Sequence, residues 1–490
     1  MAAASFRRPS WWRFSPRVAI ALAALVMSSS IGAGQTSSKA TAAPPVETAV
    51  VPALERFAGA RPSELADVVA RYDADRSALG RRYGVEYSPA RTRRLEEFTA
   101  QWLTRLRELN FDRLSQEGRV DYVLLRNELE YEQYQLKRAT GQLAEMRAYT
   151  PFASTIFDLM EARRQLEAVN QQASGRTLSL LATQIDSVRK AVEKAAAAKL
   201  DTTNARVRDS LRAVRFVGFR TAGFVENLRT TLGQWYRYYS GYDPLFSWWA
   251  EDPYKKADES LKAYTKVLRE RVVGIREGDT DPIIGDPIGA AGLAADLAHE
   301  MMPYTPERLI QIAEREYAWC EAEMKKASRE MGFGDDWKKA IEKVKNSYVE
   351  PGKQPDLIRD LAREAEEFVE KRDLVTVPPL AKEIWRMEMM TPEEAIDLLV
   401  NRVGHERANA TAEVRRSFNG SYPPLYQIAY MIGGLQFRAL HRELVTSGKM
   451  TEKAFHDSIL QGGGIPVELV RARLMGTRLE KSWKPAWRFE

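Results

Sequence analysis

The chain has 490 residues, 44% hydrophobic and 29% charged, the balance of an ordinary globular protein long enough to bury a large core. Its formal charge of +6 does not argue for nucleic-acid binding. Four of those charges are Arg7, Arg8, Arg13 and Arg17 at the N-terminus, and the +2 left on residues 35–490 forms no basic stripe. Cys320 is the one cysteine, which excludes an intramolecular disulfide in any compartment.

Residues 1–34 read as a secretory signal. The four arginines precede an apolar stretch from Val18 to Met27, and the small residues Gly32, Ala33 and Gly34 offer a cleavage site before Gln35. The competing reading is a membrane anchor, but the apolar stretch is shorter than the ~20 residues a span requires. Export to the periplasm or the extracellular space is therefore expected, with no stable membrane span once the signal is removed. Residues 35–51 are small, polar and proline-bearing, as in a disordered tether. Residues 52–490 are expected to form one helical domain.

From Pro52 onward there is almost no sustained period-two alternation, so the expected class is all-α with little sheet. In DYVLLRNELEYEQYQL, Tyr122, Leu125, Leu129 and Leu136 fall at three-, four- and seven-residue steps, which places them on one helical face. Leu178–Leu200 reads as an alanine-rich helix and Val207–Tyr239 as another long one. Between Trp235 and Tyr254 nine residues are aromatic, with Gly241, Asp243 and Pro244 breaking the helix midway. That run reads either as a helix–turn–helix corner packed into the core or as a cleft wall that stacks sugars or grips peptide side chains.

The IIGDPIG loop at 283–289 lacks phosphate-loop spacing. Thr305 and Pro306 open a helix whose expected apolar stripe is Leu309, Ile312, Ala313, Cys320 and Met324. On that stripe Cys320 is a buried structural thiol, not a nucleophile. Gly332 and Gly334 end this helix, and a turn at Pro351, Gly352 and Pro355 precedes another over Leu357–Lys371.

Val375–Pro379 is a proline-stiffened, strand-like piece that leads into a short apolar helix ending at Met390. A new helix opens at the next residue: Thr391 is the N-cap, Pro392 takes the first helical position, and Glu394 completes a capping box. Helix–helix connections normally need a few residues, so the Met390–Thr391 junction is abnormally short. The new helix runs to about Phe418 and is followed by the NGSYPP loop. In the helix Leu425–Leu444, Ile428, Ile432, Leu435 and Ala439 lie on one face, and Tyr426, Tyr430, Gly433, Phe437 and Leu440 on an adjacent one. An apolar surface that wide predicts burial, with the Gly433–Gly434 pair admitting a close neighbour. A helix from Thr451 ends at Gly462–Gly464, and Pro466 opens a final short one.

Catalytic chemistry is hard to assign from these residues. A helical zinc-peptidase site needs two histidines four apart, with a glutamate beside the first acting as base. His299 is followed by Glu300, but four residues on stands Pro303; His405 is followed by Glu406, but four on stands Asn409. His441 and His456 sit on consecutive helices without a third ligand. There is no Gly-x-Ser-x-Gly elbow and no cysteine paired with a base. A glycosidase pair is defined by spatial separation, which sequence does not report. No metal ligand and no cofactor is assigned within this chain.

Several segments nevertheless resemble a known family. They are DYVLLRNELEYE, DPIG followed by YTPERLIQIAEREYAWCEAEMKKA, VTVPPL, EVRRSF, SYPPLYQIAYMIGGLQFRALHREL and FHDSILQGGGIP. Together they resemble the bacterial "domain of unknown function 885" family over nearly all of the mature chain. The resemblance implies a large multi-helix body like that of gluzincin-type helical metallopeptidases, with zinc-dependent peptide hydrolysis in intact members.

It also implies a block of helices between the pieces matching VTVPPLAKEIWRMEMM and TPEEAIDLLVNRVGHE. In intact members that block carries an HExxH zinc helix and a later glutamate-bearing helix that supplies the third ligand. Here Met390 passes directly to Thr391, so by resemblance the two histidine ligands, the general base and the third ligand are missing together. With them would go the metal that activates the attacking water. The cleft wall would survive: Tyr426 and Arg438 would face the cavity, where a phenol or guanidinium hydrogen-bonds a peptide carbonyl or carboxylate. The alternative is that both simply pack in the helical core.

Three functional expectations stand side by side. The chain is an exported member of a peptidase-like family that is inactive as written; or it records an internal deletion from an active zinc peptidase; or it is a non-catalytic module binding peptides or glycans. Losing several helices should also leave apolar surface uncovered around Ile384, Trp385 and Met387, and along Ile428–Leu440.

Overall fold

The computed structural model describes residues 63–197, 205–276, 278–279, 284–350, 352–379, 381, 423 and 425–489, and among these it holds helices and no strand. The expected signal and tether, the Met390–Thr391 junction with its capping box, Ile384, Trp385, Met387 and His405 all lie outside the described residues. Among the described residues no helix is long and apolar enough to cross a membrane.

Helix starts follow local chemistry. The side chains of Ser88, Ser115, Asn170, Asp243, Thr305, Asp336 and Thr451 each accept the amide three residues on, and Pro89, Pro244 and Pro306 occupy first turns. Each such oxygen satisfies an amide that the helix itself leaves unpaired.

The helices bury three cores. α1 (Ala66–Arg82), α2 (Pro89–Glu108) and the long α3 (Gln116–Met146) enclose the first, built on Phe98, Leu103, Tyr122, Val123, Leu125 and Leu129. The stripe expected on α3 is real, although Leu136 is only half-buried. The second core lies among α4 (Ala153–Arg164), α5 (Gln171–Ala196), α6 (Ala205–Ser240) and α7 (Pro244–Val267), the last continuing as a π-helical turn over Leu268–Val273. Phe152, Ile156, Leu178, Leu228, Leu232, Trp235, Phe246 and Tyr264 fill it.

α8 (Gly289–His299), α9 (Pro306–Glu330), α10 (Trp337–Lys345) and α11 (Gln354–Lys371) come next. After them come α12 (Tyr426–His441), α13 (Glu452–Gln461) and α14 (Val467–Leu474). The third core joins α8, α9, α12, α13 and the C-terminal tail through Leu297, Ile312, Ile432, Leu435, Leu440, Phe455, Trp487 and Phe489. α14 binds the body together, since Leu469 and Ala472 enter the first core while Val470 enters the third. Beyond it Lys481 donates to the Arg107 carbonyl (2.5 Å), and Arg126 donates to that of Trp483 (2.7 Å).

Three sequence expectations are corrected. Cys320 is exposed, not buried: along that stripe Leu309 and Ile312 are buried and Ala313 half-buried, while Cys320 and Met324 further along α9 stand in water. A Cβ at Gly433 or Gly434 would meet nothing within 4 Å, so no described neighbour presses on that pair. The strand-like piece expected at 375–379 forms no strand: residues 375–378 have no regular structure and Pro379 is helical. It is held on α13 instead: Asp457 accepts from the Thr376 amide (2.7 Å) and hydroxyl (2.6 Å), and Lys453 meets Asp373 at 2.6 Å.

Candidate functional site

α12 carries both residues that the resemblance points to. Its inner face is core: Ile432, Leu435, Ala439 and Leu440 are buried. The outer face is not, so the expectation of burial on all sides fails there. Tyr426, Tyr430, Gly434 and Arg438 follow at four-residue steps along it, with Tyr426 half-buried and the other three exposed. Tyr426 and Tyr430 share a hydrogen bond between hydroxyls at 2.7 Å, their rings edge to face. Arg438 lies 3.7 Å from the Glu316 carboxylate of α9, a long ion pair in which the arginine is exposed and the carboxylate largely covered.

Twelve helical residues separate Tyr426 from Arg438, about 18 Å of axial rise. The fold therefore sets them on one row without converging them on one substrate atom. Neither Tyr426 nor Arg438 lines either of two cavities among the described residues. One of about 290 Å³ sits between 109–112 and 478–481, and one of about 210 Å³ is bounded by Ala439, Arg442, Glu443, Arg488 and Phe489.

The described histidines are all engaged. His441 Nε2 is 3.0 Å from both oxygens of Glu452, and His456 Nδ1 is 2.7 Å from the Leu374 carbonyl. The Phe455 ring lies against both imidazoles. Among the described residues no group of three or more His, Cys, Asp or Glu is placed to hold a metal ion, so these residues do not fit the zinc that the resemblance implies for intact members.

His299 sits in a titratable cluster that sequence reasoning missed. Its ring stacks on Tyr131 with centroids 3.9 Å apart, and its Nε2 is 3.8 Å from Glu128. Tyr131 donates to the buried Asp296 at 2.8 Å, while Asn127 donates to the His299 carbonyl at 2.7 Å. Burial holds the imidazole below its usual pKa, against the pull of the Glu300 and Asp296 charges. Burial, then the bond to Asp296, pushes the Tyr131 phenol up. One turn on, buried Glu132 accepts from Tyr72 (2.9 Å) and Arg76 (2.5 Å) of α1. The signal was present in sequence as Asn127/Tyr131 and Glu128/Glu132, two polar i,i+4 pairs on a core helix. These contacts make a polar joint between α1, α3 and α8, with no nucleophile in it.

The aromatic run splits in two. Trp235, Tyr239 and Phe246 are core, and Tyr236 stacks on Tyr254 at 4.0 Å, so the corner expected from sequence is there. Tyr238, Tyr242 and Trp248 point outward and are exposed.

Comparison with known proteins fits this helical body. The model of a family described as "Bacterial protein of unknown function (DUF885)" matches residues 74–389 and 384–474, two stretches that overlap only at 384–389. No curated protein and no solved structure matches the chain. With the matched stretches spanning all but the ends of the helical body, the chain belongs to the bacterial DUF885 family.

Proposed function

We propose that this chain is an exported helical scaffold of a zinc-peptidase-like family, missing the zinc-binding segment and unable to hydrolyse peptides as written. The observation that carries this reading is the way the family model aligns. It stops at residue 389 and restarts at 384, next to the Met390–Thr391 junction where two helical signals meet without a connector. A chain from which an internal block had been removed would give that pattern. The HExxH helix and the third-ligand helix belong, by resemblance, to that block. With them would go the ligands of the metal that activates water for attack on an amide.

The flanks would tolerate such a loss. Up to Thr376 the chain is clamped to α13, and α12 buries its inner face in the third core. Both sides of the junction are thus anchored to one body. What remains, Tyr426 and Arg438 on an open helix face, is equipped to hold a peptide carbonyl or carboxylate but not to cleave it.

The test is zinc stoichiometry and peptide hydrolysis of the purified full chain after incubation with zinc. Far less than one zinc per chain and no cleavage is expected; one zinc per chain with chelator-sensitive cleavage overturns the proposal. Sequencing the locus across codons 385–395 separates the second reading. Recovery of an intervening coding block there would make the intact product an active zinc peptidase.

A further inference from the structure

One end of the α4–α7 bundle carries apolar side chains that the fold does not use. α4 stops at Arg164, and the chain turns through Leu166, which is left-handed (φ +60°) and 84% exposed. Glycine or asparagine takes that conformation readily, whereas leucine is strained in it and here gains no burial in return. The left-handed turn itself closes α4, with the Leu166 amide donating to the Arg163 carbonyl and the Glu167 amide to the Ala162 carbonyl, both at 3.0 Å. What the helix end does not account for is the large apolar side chain it projects into water.

Both ends of this loop are tied to the α6–α7 turn. The Arg163 guanidinium lies 4.1 Å from the Tyr238 ring centre, and the Gln171 amide donates to Asp243 at 3.0 Å. Leu166 therefore shares its end of the bundle with Tyr242, Leu245 and Trp248, which follow at steps of three and are 64%, 55% and 73% exposed. Arginines fringe the patch. Arg82 donates to the Arg164 carbonyl at 2.9 Å, and Arg164 covers the Tyr83 ring. Of the nearby carboxylates, Glu161 is taken by Arg164 and Gln165, Asp243 caps α7, and Glu251 pairs with Lys255, leaving Glu167 and, one turn beyond Trp248, Asp252 exposed.

The chemistry narrows the occupant. Arg163 already covers the ring of Tyr238 on which a sugar would stack. Leucine with tryptophan and tyrosine, edged by arginine, is instead the composition that lodges at a lipid headgroup layer. We propose that this end of the bundle docks on a phospholipid bilayer surface, seating Leu166, Tyr242, Leu245 and Trp248 at headgroup depth with the exposed Arg82 toward lipid phosphates. The inference is independent of whether the chain hydrolyses peptides.

The test compares the full chain with its Leu166→Asn and Trp248→Gln variants, all carrying the same N-terminus. Each is co-sedimented with vesicles of phosphatidylcholine alone or mixed with phosphatidylglycerol. Asparagine suits the left-handed position, so Leu166→Asn should unfold at the same temperature as the wild type or higher. The expected result is vesicle association, stronger on the anionic vesicles and weakened by salt, that each variant reduces by about tenfold, the loss for withdrawing one large apolar side chain. No association, or association that neither variant changes, overturns the proposal. So does self-association without vesicles that both variants abolish, which would name a second copy as the occupant. A saturable response to oligosaccharides or peptides lost in the same variants would overturn it too.

Discussion

Gly175 on α5 lies so near the backbone carbonyl of Trp249 on α7 that a Cβ would stand 2.5 Å from the oxygen. Backbone, unlike a flexible side chain, cannot step aside, so this contact sets the spacing of the two helices around the second core. Gly175→Ala should lower stability by about 1–3 kcal/mol, the cost of overpacking a well-filled core. Gly223 on α6 meets nothing within 4 Å, and Gly223→Ala should raise stability by about 0.5–1 kcal/mol through helix propensity. Denaturant unfolding of the two variants should give opposite signs.

The polar joint at Glu132 should be worth more than its exposed counterparts. Tyr72 donates to this buried carboxylate, and burial with the Glu132 and Glu128 charges pushes the phenol far up, so it stays a donor at any ordinary pH. Tyr72→Phe should cost about 1.5–3 kcal/mol, the value of a buried hydrogen bond to a charged group. Breaking the exposed Arg71–Asp75 pair on the same helix should cost less than about 1 kcal/mol.

His299 should give the fold a dependence on mildly acidic pH. The groups facing it are Asn127, Glu128 and Tyr131 of α3, with Asp296 and the exposed Glu300 of its own helix end. Its folded-state pKa lies below the unfolded value of 6.5, so below that value the unfolded chain binds more protons than the folded one. The stability this site contributes is present above pH 6.5 and falls as pH drops through it. His299→Phe keeps a ring on Tyr131 and the Asn127 bond to the backbone carbonyl while removing the titration. Melting temperatures should fall more steeply with acid in the wild type than in this variant; parallel curves would refute the assignment.

Cys320 should behave as a surface thiol. Ellman's reagent should modify one thiol per chain without denaturant, and Cys320→Ser should change stability by less than about 0.5 kcal/mol. A thiol that reacts only after unfolding would restore the buried position expected from the helix stripe.

The split between what could be read early and what could not follows particular residues. Thr305 and Thr451 begin helices where the sequence placed them, because a side-chain oxygen three residues before an amide is a local event, needing nothing from the rest of the chain. Tyr122, Leu125 and Leu129 were legible as core because helical periodicity alone puts them on one face. Cys320 and Met324 satisfied the same periodicity and are exposed, because a stripe states only which residues face together, not whether another helix arrives to cover them. The open space at Gly433–Gly434 and the divided aromatic run have the same cause.

By itself, then, the sequence determined the all-helical class, the helix starts at Thr305 and Thr451 and the family, since these rest on local spacing and extended similarity. Only the tertiary structure decided that His299 pairs its helix with Tyr131, that Tyr426 and Arg438 stand apart on an open face, and that Leu166 and Trp248 face outward at one end of a bundle. Those relationships join residues that are distant along the chain, and packing alone brings them together.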